Sequence, residues 1–98
     1  MNIDQIRNGD KLTLAVGGRI DTKTSPQLEK TLDDVLEGIK EFVFDFADVS
    51  YISSAGLRVL MAAQLKMNEQ GRMTVINANE DLMEIFEITG FTEILTIE

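Results

Sequence analysis

Two adjacent serines, Ser53 and Ser54, follow the most strand-like run of the chain, Phe42-Val43-Phe44-Asp45-Phe46. They open a long apolar-periodic segment that carries Gly56 inside what should be its first helical turn. A serine so placed can attack a substrate, cap a helix or accept a phosphate. Attack needs a base, and the chain holds no His and no Cys. That removes Ser-His-Asp catalysis, thiol chemistry, disulfides and zinc-thiolate sites. The run Ile52-Ser53-Ser54-Ala55-Gly56 lacks the first glycine of a nucleophile elbow. No lysine is close in sequence to the serines, so a small serine hydrolase is the weakest reading. Neither a Gly-x-x-x-x-Gly-Lys-Ser/Thr loop nor a Gly-x-Gly-x-x-Gly run is present. Asp21, Asp45 and Asp48 could gather around Mg²⁺, although Asp45 and Asp48 read more simply as strand-end and turn carboxylates. A receiver domain is ruled out, because its acidic pair would fall where Asn8-Gly9 stands and its late lysine where Asn77-Ala78-Asn79 stands. The residues call for no catalytic group, no metal and no cofactor.

The plain structural reading of the pair is a cap, with a serine oxygen accepting a backbone N–H two or three residues on. The same geometry suits modification. A phosphate there meets free N–H groups and the positive end of the helix dipole. It would leave the fold intact and add about −1.5 to −2 charge to the surface.

Bulk properties narrow the partners. The chain has 98 residues, 44% of them apolar, and a formal net charge of −8. One domain spanning residues 1–98 is expected. The acidic balance argues against nucleic acid, which needs clustered Lys and Arg, and suits a basic patch on a protein partner. No apolar run approaches membrane-spanning length and no secretory pattern opens the chain. A cytoplasmic protein with no membrane contact is expected.

The elements that must hold the serines follow from periodicity. Ile3–Arg7 and Lys11–Val16 flank Asn8-Gly9-Asp10 and read as a hairpin. Gly17-Gly18 then reads as a bulge or a close backbone approach. Ser25 can cap a helix that has Pro26 at its first position and Leu28, Leu32, Val35, Leu36 and Ile39 on its inner face. Gly38 is expected to mark its end. Phe42–Phe46 is the central strand, with Ala47–Ile52 as a connection. A second helix runs from Ser54 to about Gln70, with Leu57, Leu60, Met61 and Leu65 inward, Val59, Ala62 and Ala63 widening that stripe, and Gln64 toward water. Met73–Ile76 is a strand. Asn77 with Glu80 resembles a capping box ahead of a third helix, whose inner face is Leu82, Ile85, Phe86 and Ile88. Ile94–Ile97 is a last strand. This β-β-α-β-α-β-α-β order predicts an α/β domain with a mixed, largely parallel sheet of about five strands and helices packed against it. Loops after the strand ends should share one rim, made of Asp21–Ser25, Asp48–Ser54 and Asn77–Glu80.

The run from Asp45 to Leu60 resembles the signature of STAS domains of the bacterial anti-sigma factor antagonist type. Gly18-Arg19-Ile20-Asp21 is similar to that family's Gly-x-Leu/Ile-Asp element. The resemblance spans essentially the whole chain and implies a partner-switching role in transcription. The unphosphorylated antagonist would bind an anti-sigma factor that is also a GHKL-type serine kinase, which frees a sigma factor. The kinase, supplying Mg-ATP, would then phosphorylate the antagonist and break the complex, and a PP2C-type phosphatase would reset it. By the resemblance the phosphoacceptor is Ser54, two residues before Gly56. Many members carry Asp immediately before the acceptor; here Ser53 stands there and is the second candidate. Asp21, Ser53, Ser54, Gly56 and Arg58 are the implied docking residues. The alternative role is a non-phosphorylated STAS interaction subunit of a stress-signalling or lipid-transport complex.

Overall fold

The computed structural model describes residues 1–98. Its elements are β1 (Asn2–Asn8), β2 (Lys11–Ile20), α1 (Ser25–Val35), β3 (Glu41–Ile52), α2 (Ser54–Gln70), β4 (Arg72–Ile76), α3 (Glu80–Thr89) and a 3₁₀ turn at Phe91–Glu93. The sheet has four strands in the order β1-β2-β3-β4. The first pair is antiparallel and the other two are parallel, so the mixed, largely parallel α/β sheet expected from the sequence is present. The fifth strand is not. Ile94–Ile97 contributes only a parallel bridge from Ile97 to Val75, because the chain after Gly90 first closes a 3₁₀ turn.

The hairpin pivots on Gly9-Asp10, with Asn8 paired to Lys11. Gly9 has φ +62°, the positive value that a two-residue turn needs at its first central position. Beyond it β2 runs through Gly17-Gly18 rather than stopping. The register against β3 slips between Ala15 and Gly17 and again between Gly18 and Arg19. Both slips put the extra residue on β3, so the bulged strand is β3 and the glycines of β2 lie opposite it.

One face of the sheet is dry. Leu12, Leu14 and Val16 on β2 and Phe42, Phe44 and Phe46 on β3 are buried, as period 2 requires. The phenylalanine rings stack along the strand with centroids 4.7 and 5.0 Å apart, a tilted geometry worth about 0.5–1.5 kcal/mol per pair beyond area burial. Leu28, Leu32, Leu36 and Ile39 close over this face from α1 and the turn after it. The helix itself ends at Val35, ahead of the Gly38 turn.

Four local expectations are corrected. Ala47–Ile52 is not a connection but the second half of β3; Val49 and Ile52 are buried and continue the strand past the bulges. On α2 the stripe is rotated: Leu65 is 57% exposed, while Gln64 is buried at 5% and donates to Asn68. The apolar residues of this helix surround it too evenly for period alone to choose a face. Met61 is half-buried and Ala62 exposed. Asn79, not Asn77, caps α3 by accepting from Leu82 N–H at 2.9 Å; Ile88 lies 77% exposed at the far end of that helix. Thr24, not Ser25, is the cap residue of α1, and the buried Ser25 hydroxyl has no partner.

Candidate functional site

Strands β2 and β3 end together. Ile20 pairs with Ile52, and Ser53 N–H donates to the Ile20 carbonyl at 2.8 Å. Asp21 and Ser53 therefore leave the sheet side by side. This is the rim that the β-α order predicted, but it is shorter than expected. β4 pairs only as far as Asp45–Ile76, seven residues before Ile52. The Asn77–Glu80 loop thus sits back along β3, alongside Asp45 to Val49 rather than beside Ser53. There Asn77 donates to Asp45 and Asn79 to the Val49 carbonyl. Asp48 is also left behind, opposite Gly17 within the sheet, where it lines a hollow of about 330 Å³ with Met1, Asn2, Asp4 and Ala15. Asp21, Asp45 and Asp48 do not converge, and the chain has no cluster of three or more metal-ligating side chains.

The two serines divide their work. Ser53 has extended backbone, φ −96° and ψ 176°, and its oxygen accepts from Gly56 N–H at 3.4 Å. Its carbonyl accepts the first helical N–H, from Leu57, at 2.9 Å. Ser54 is the first residue of α2; it is exposed and its hydroxyl makes no hydrogen bond. Gly56, one of the implied docking residues, is buried beneath that first turn. A Cβ there would stand 2.7 Å from Ile20 Cγ2, 2.7 Å from Ile52 Cγ1 and 2.8 Å from the Ile20 carbonyl oxygen. The glycine thus lets the first turn of the helix settle on the strand ends.

Asp21 organises the neighbouring loop. Its carboxylate accepts the N–H groups of Lys23 at 3.0 Å and Thr24 at 3.1 Å, and pairs with Arg19 Nε at 3.3 Å. The Thr24 hydroxyl accepts from Asp21 N–H at 2.9 Å and gives its proton to the Arg19 carbonyl at 2.7 Å. The Thr24 N–H bond, with Lys23 N–H and Arg19 adding to it against some desolvation, holds the Asp21 carboxyl below its usual range. A lowered pKa stabilises the fold above the unfolded-state value and loses that contribution as pH falls through the folded one. We therefore expect Asp21→Asn to lower stability at neutral pH. The gap from the parent should close as the solution is acidified below about pH 4, as read by urea unfolding at a series of pH values.

Two participants escaped the sequence reading as a pair. Arg19 and Tyr51 face each other across the β2–β3 register, with the guanidinium 4.4 Å from the ring centroid. Each lies two residues before a rim residue, Asp21 or Ser53, but only the strand register brings them together. On the other side Arg58 is exposed and lines a hollow of about 210 Å³ with Thr22, Ser25, Pro26, Glu29 and Ala55. The arrangement offers a free hydroxyl, a fixed loop carboxylate and an exposed guanidinium. No imidazole or thiol is at hand to activate the serine.

No helix is long and apolar enough to cross a membrane. The family model described as the STAS domain matches residues 2–98. An anti-sigma-B factor antagonist of Listeria monocytogenes is 33% identical over 95 residues, which covers 94% of this chain and 82% of that protein. The anti-sigma-B factor antagonist of Bacillus subtilis is 30% identical over 98 residues, covering 99% and 90%. Among solved structures, an anti-sigma factor antagonist from Mycobacterium paratuberculosis superposes with a TM-score of 0.88 at 22% identity, over 98% of this chain and 83% of that one. The phosphorylated form of the Bacillus cell fate determinant SpoIIAA superposes with a TM-score of 0.76 at 12% identity, over 99% and 91%.

Proposed function

Because this chain belongs to the STAS domain family, among the bacterial anti-sigma factor antagonists, we propose that it is a phosphorylation-switched antagonist whose acceptor is Ser54. Residues 1–98 act as one STAS domain. The unphosphorylated form docks its strand-end surface, made of Asp21, Ser53, Ser54 and Arg58, onto an anti-sigma factor that is a GHKL-type serine kinase. A sigma factor is released as a result. Within that complex the Ser54 oxygen attacks the γ-phosphorus of the kinase's Mg-ATP. The bond from that phosphorus to the ADP oxygen breaks, the hydroxyl proton passes to a base of the kinase, and ADP leaves. The chain itself contributes no catalysis; its part is to present the hydroxyl. A PP2C-type phosphatase returns the serine. The proposed place of action is the cytoplasm, where sigma factor, polymerase and ATP meet.

The observation that carries this reading is the division of labour between the serines. Ser53 is occupied as the cap, whereas Ser54 is exposed, unbonded and held at the first position of α2. A phosphate there lies against the positive end of a 17-residue helix, which favours it without unfolding the domain. Incubation with the anti-sigma kinase of the same cell and Mg-ATP should add one phosphate by intact mass. The gain should vanish in Ser54→Ala and persist in Ser53→Ala. No added phosphate with the cognate kinase would overturn the switch and leave a constitutive interaction subunit as the function.

A further inference from the structure

A phosphate on Ser54 would enter a surface short of counter-ions. The chain has 9 basic residues against 17 acidic ones. Near the strand ends Arg19 is already engaged, paired to Asp21 at 3.3 Å and stacked on Tyr51. Arg58 is different. It is exposed, and the single ion pair of the structure is the one between Arg19 and Asp21, so the Arg58 guanidinium is free.

Its place in the helix decides where it can reach. Ser54 and Arg58 are positions i and i+4 of the uninterrupted helix α2, so their Cβ atoms lie about 5–6 Å apart on one face. Long helical side chains lean toward the N-terminus and cover the preceding turn. Arg58 lines the hollow beside the first turn with Ala55, and Ser54 lies one turn before it, within reach of a rotated guanidinium. The floor of that hollow includes Ser25, 5% exposed, whose hydroxyl has no hydrogen-bond partner. Glu29 of α1 also lines the hollow, without an ion pair to Arg58. The N–H groups of Ser54 and Ala55 also have no helical acceptor, as the start of any helix requires.

We propose that Arg58 is the intramolecular counter-ion of phosphorylated Ser54, its guanidinium donating across one helical turn to the phosphate oxygens. The proposal rests on the reading of Ser54 as the acceptor and deepens it. In the unmodified protein the Arg58 cation is open to an acidic patch on a partner. Once Ser54 carries its phosphate, the same guanidinium is drawn onto it. One phosphoryl group then changes the docking surface twice, by adding an anion and by withdrawing the cation beside it. The charged groups around it are Glu29 and Asp21, which oppose the phosphate, and Arg19 and Lys23, of which Arg19 is held by Asp21.

The test installs phosphoserine at position 54 by genetic encoding, so that no kinase is needed, and follows the ³¹P shift with pH. Arg58→Gln should raise the second pKa of the phosphate by about half a unit relative to the parent, with Arg58→Lys between the two. High salt should shrink the gap. A pKa in Arg58→Gln within about 0.1 unit of the parent would overturn the proposal. If Arg58→Gln proved unstable, the Arg58 Nε–H resonance of the parent gives the same answer. It should move downfield when Ser54 carries phosphate, and an unmoved resonance counts against the pairing. Failure of the cognate kinase to modify Ser54 would strike the proposed function and leave this result standing. An unchanged ³¹P titration would remove Arg58 from the switch without touching the acceptor.

Discussion

Gly56→Ala is expected to destabilise the protein by about 2 kcal/mol, which for a domain of this size is a fall of roughly 10 °C in Tm. The substitution should have been favourable on local grounds, since alanine is about 1 kcal/mol better than glycine inside a helix. The environment reverses the sign. The added methyl would lie 2.7 Å from two isoleucine side-chain carbons and 2.8 Å from the Ile20 carbonyl oxygen. The isoleucines can rotate, but the carbonyl cannot, because it accepts the Ser53 N–H at 2.8 Å. Either that bond lengthens or the first turn of α2 lifts off the strands. Thermal unfolding measures the first cost. A lifted turn would also displace Ser54, so partner binding should weaken even at temperatures where the variant is folded. A Gly56→Ala protein as stable as the parent would mean that the helix start is not seated on Ile20 as described.

Ser54→Asp is expected to weaken binding to the anti-sigma kinase by roughly thirtyfold or more while leaving Tm within about 2 °C of the parent, because Ser54 is exposed and unbonded. A carboxylate that is forced into a surface fitted to a neutral hydroxyl and also draws Arg58 away from the partner costs about 2–5 kcal/mol, and each 1.4 kcal/mol is a factor of ten in affinity. The fold should tolerate it, because an anion at the first helical position is favoured by the dipole by about 0.3–1 kcal/mol. Ser53→Asp serves as the contrast. Aspartate caps a helix about as well as serine, so it should keep the cap and perturb binding less. Calorimetric titration of the three proteins against the kinase reads the order directly. Equal affinities for parent and Ser54→Asp would favour the constitutive interaction subunit.

The two substitutions probe features that were unequally visible in the amino-acid order. The strand Phe42–Phe46 and the helix α1 were legible because their apolar residues repeat at periods of 2 and 3.6 and those periods follow from backbone geometry alone. The Gly9 turn was legible for a similarly local reason, the positive φ that Asn-Gly accepts. The inner face of α2 was only half legible, since Leu57 and Leu60 fit both a stripe that continues through Met61 and Leu65 and one that continues through Ala63, Gln64 and Met67. Only the position of the sheet chose the second. Likewise Ala47–Ile52 is short on local strand signal and is held extended by its pairing with Gly17–Ile20.

The functional surface divides along the same line. The amino-acid order by itself determined that a serine without His or Cys must borrow its chemistry, and that Ser53-Ser54 opens a helix at a strand end. It could not say which serine would cap and which would be free, because Ser53 and Ser54 are equally good capping residues. That choice came from the pairing of Ile20 with Ile52, which ends the strand one residue before Ser53 and starts the helix at Ser54. Nor could it show that Arg19 lies on Tyr51 or that Gly56 touches Ile20, contacts between residues more than 30 positions apart. Such contacts depend on strand register, a property of two segments together that neither segment encodes alone.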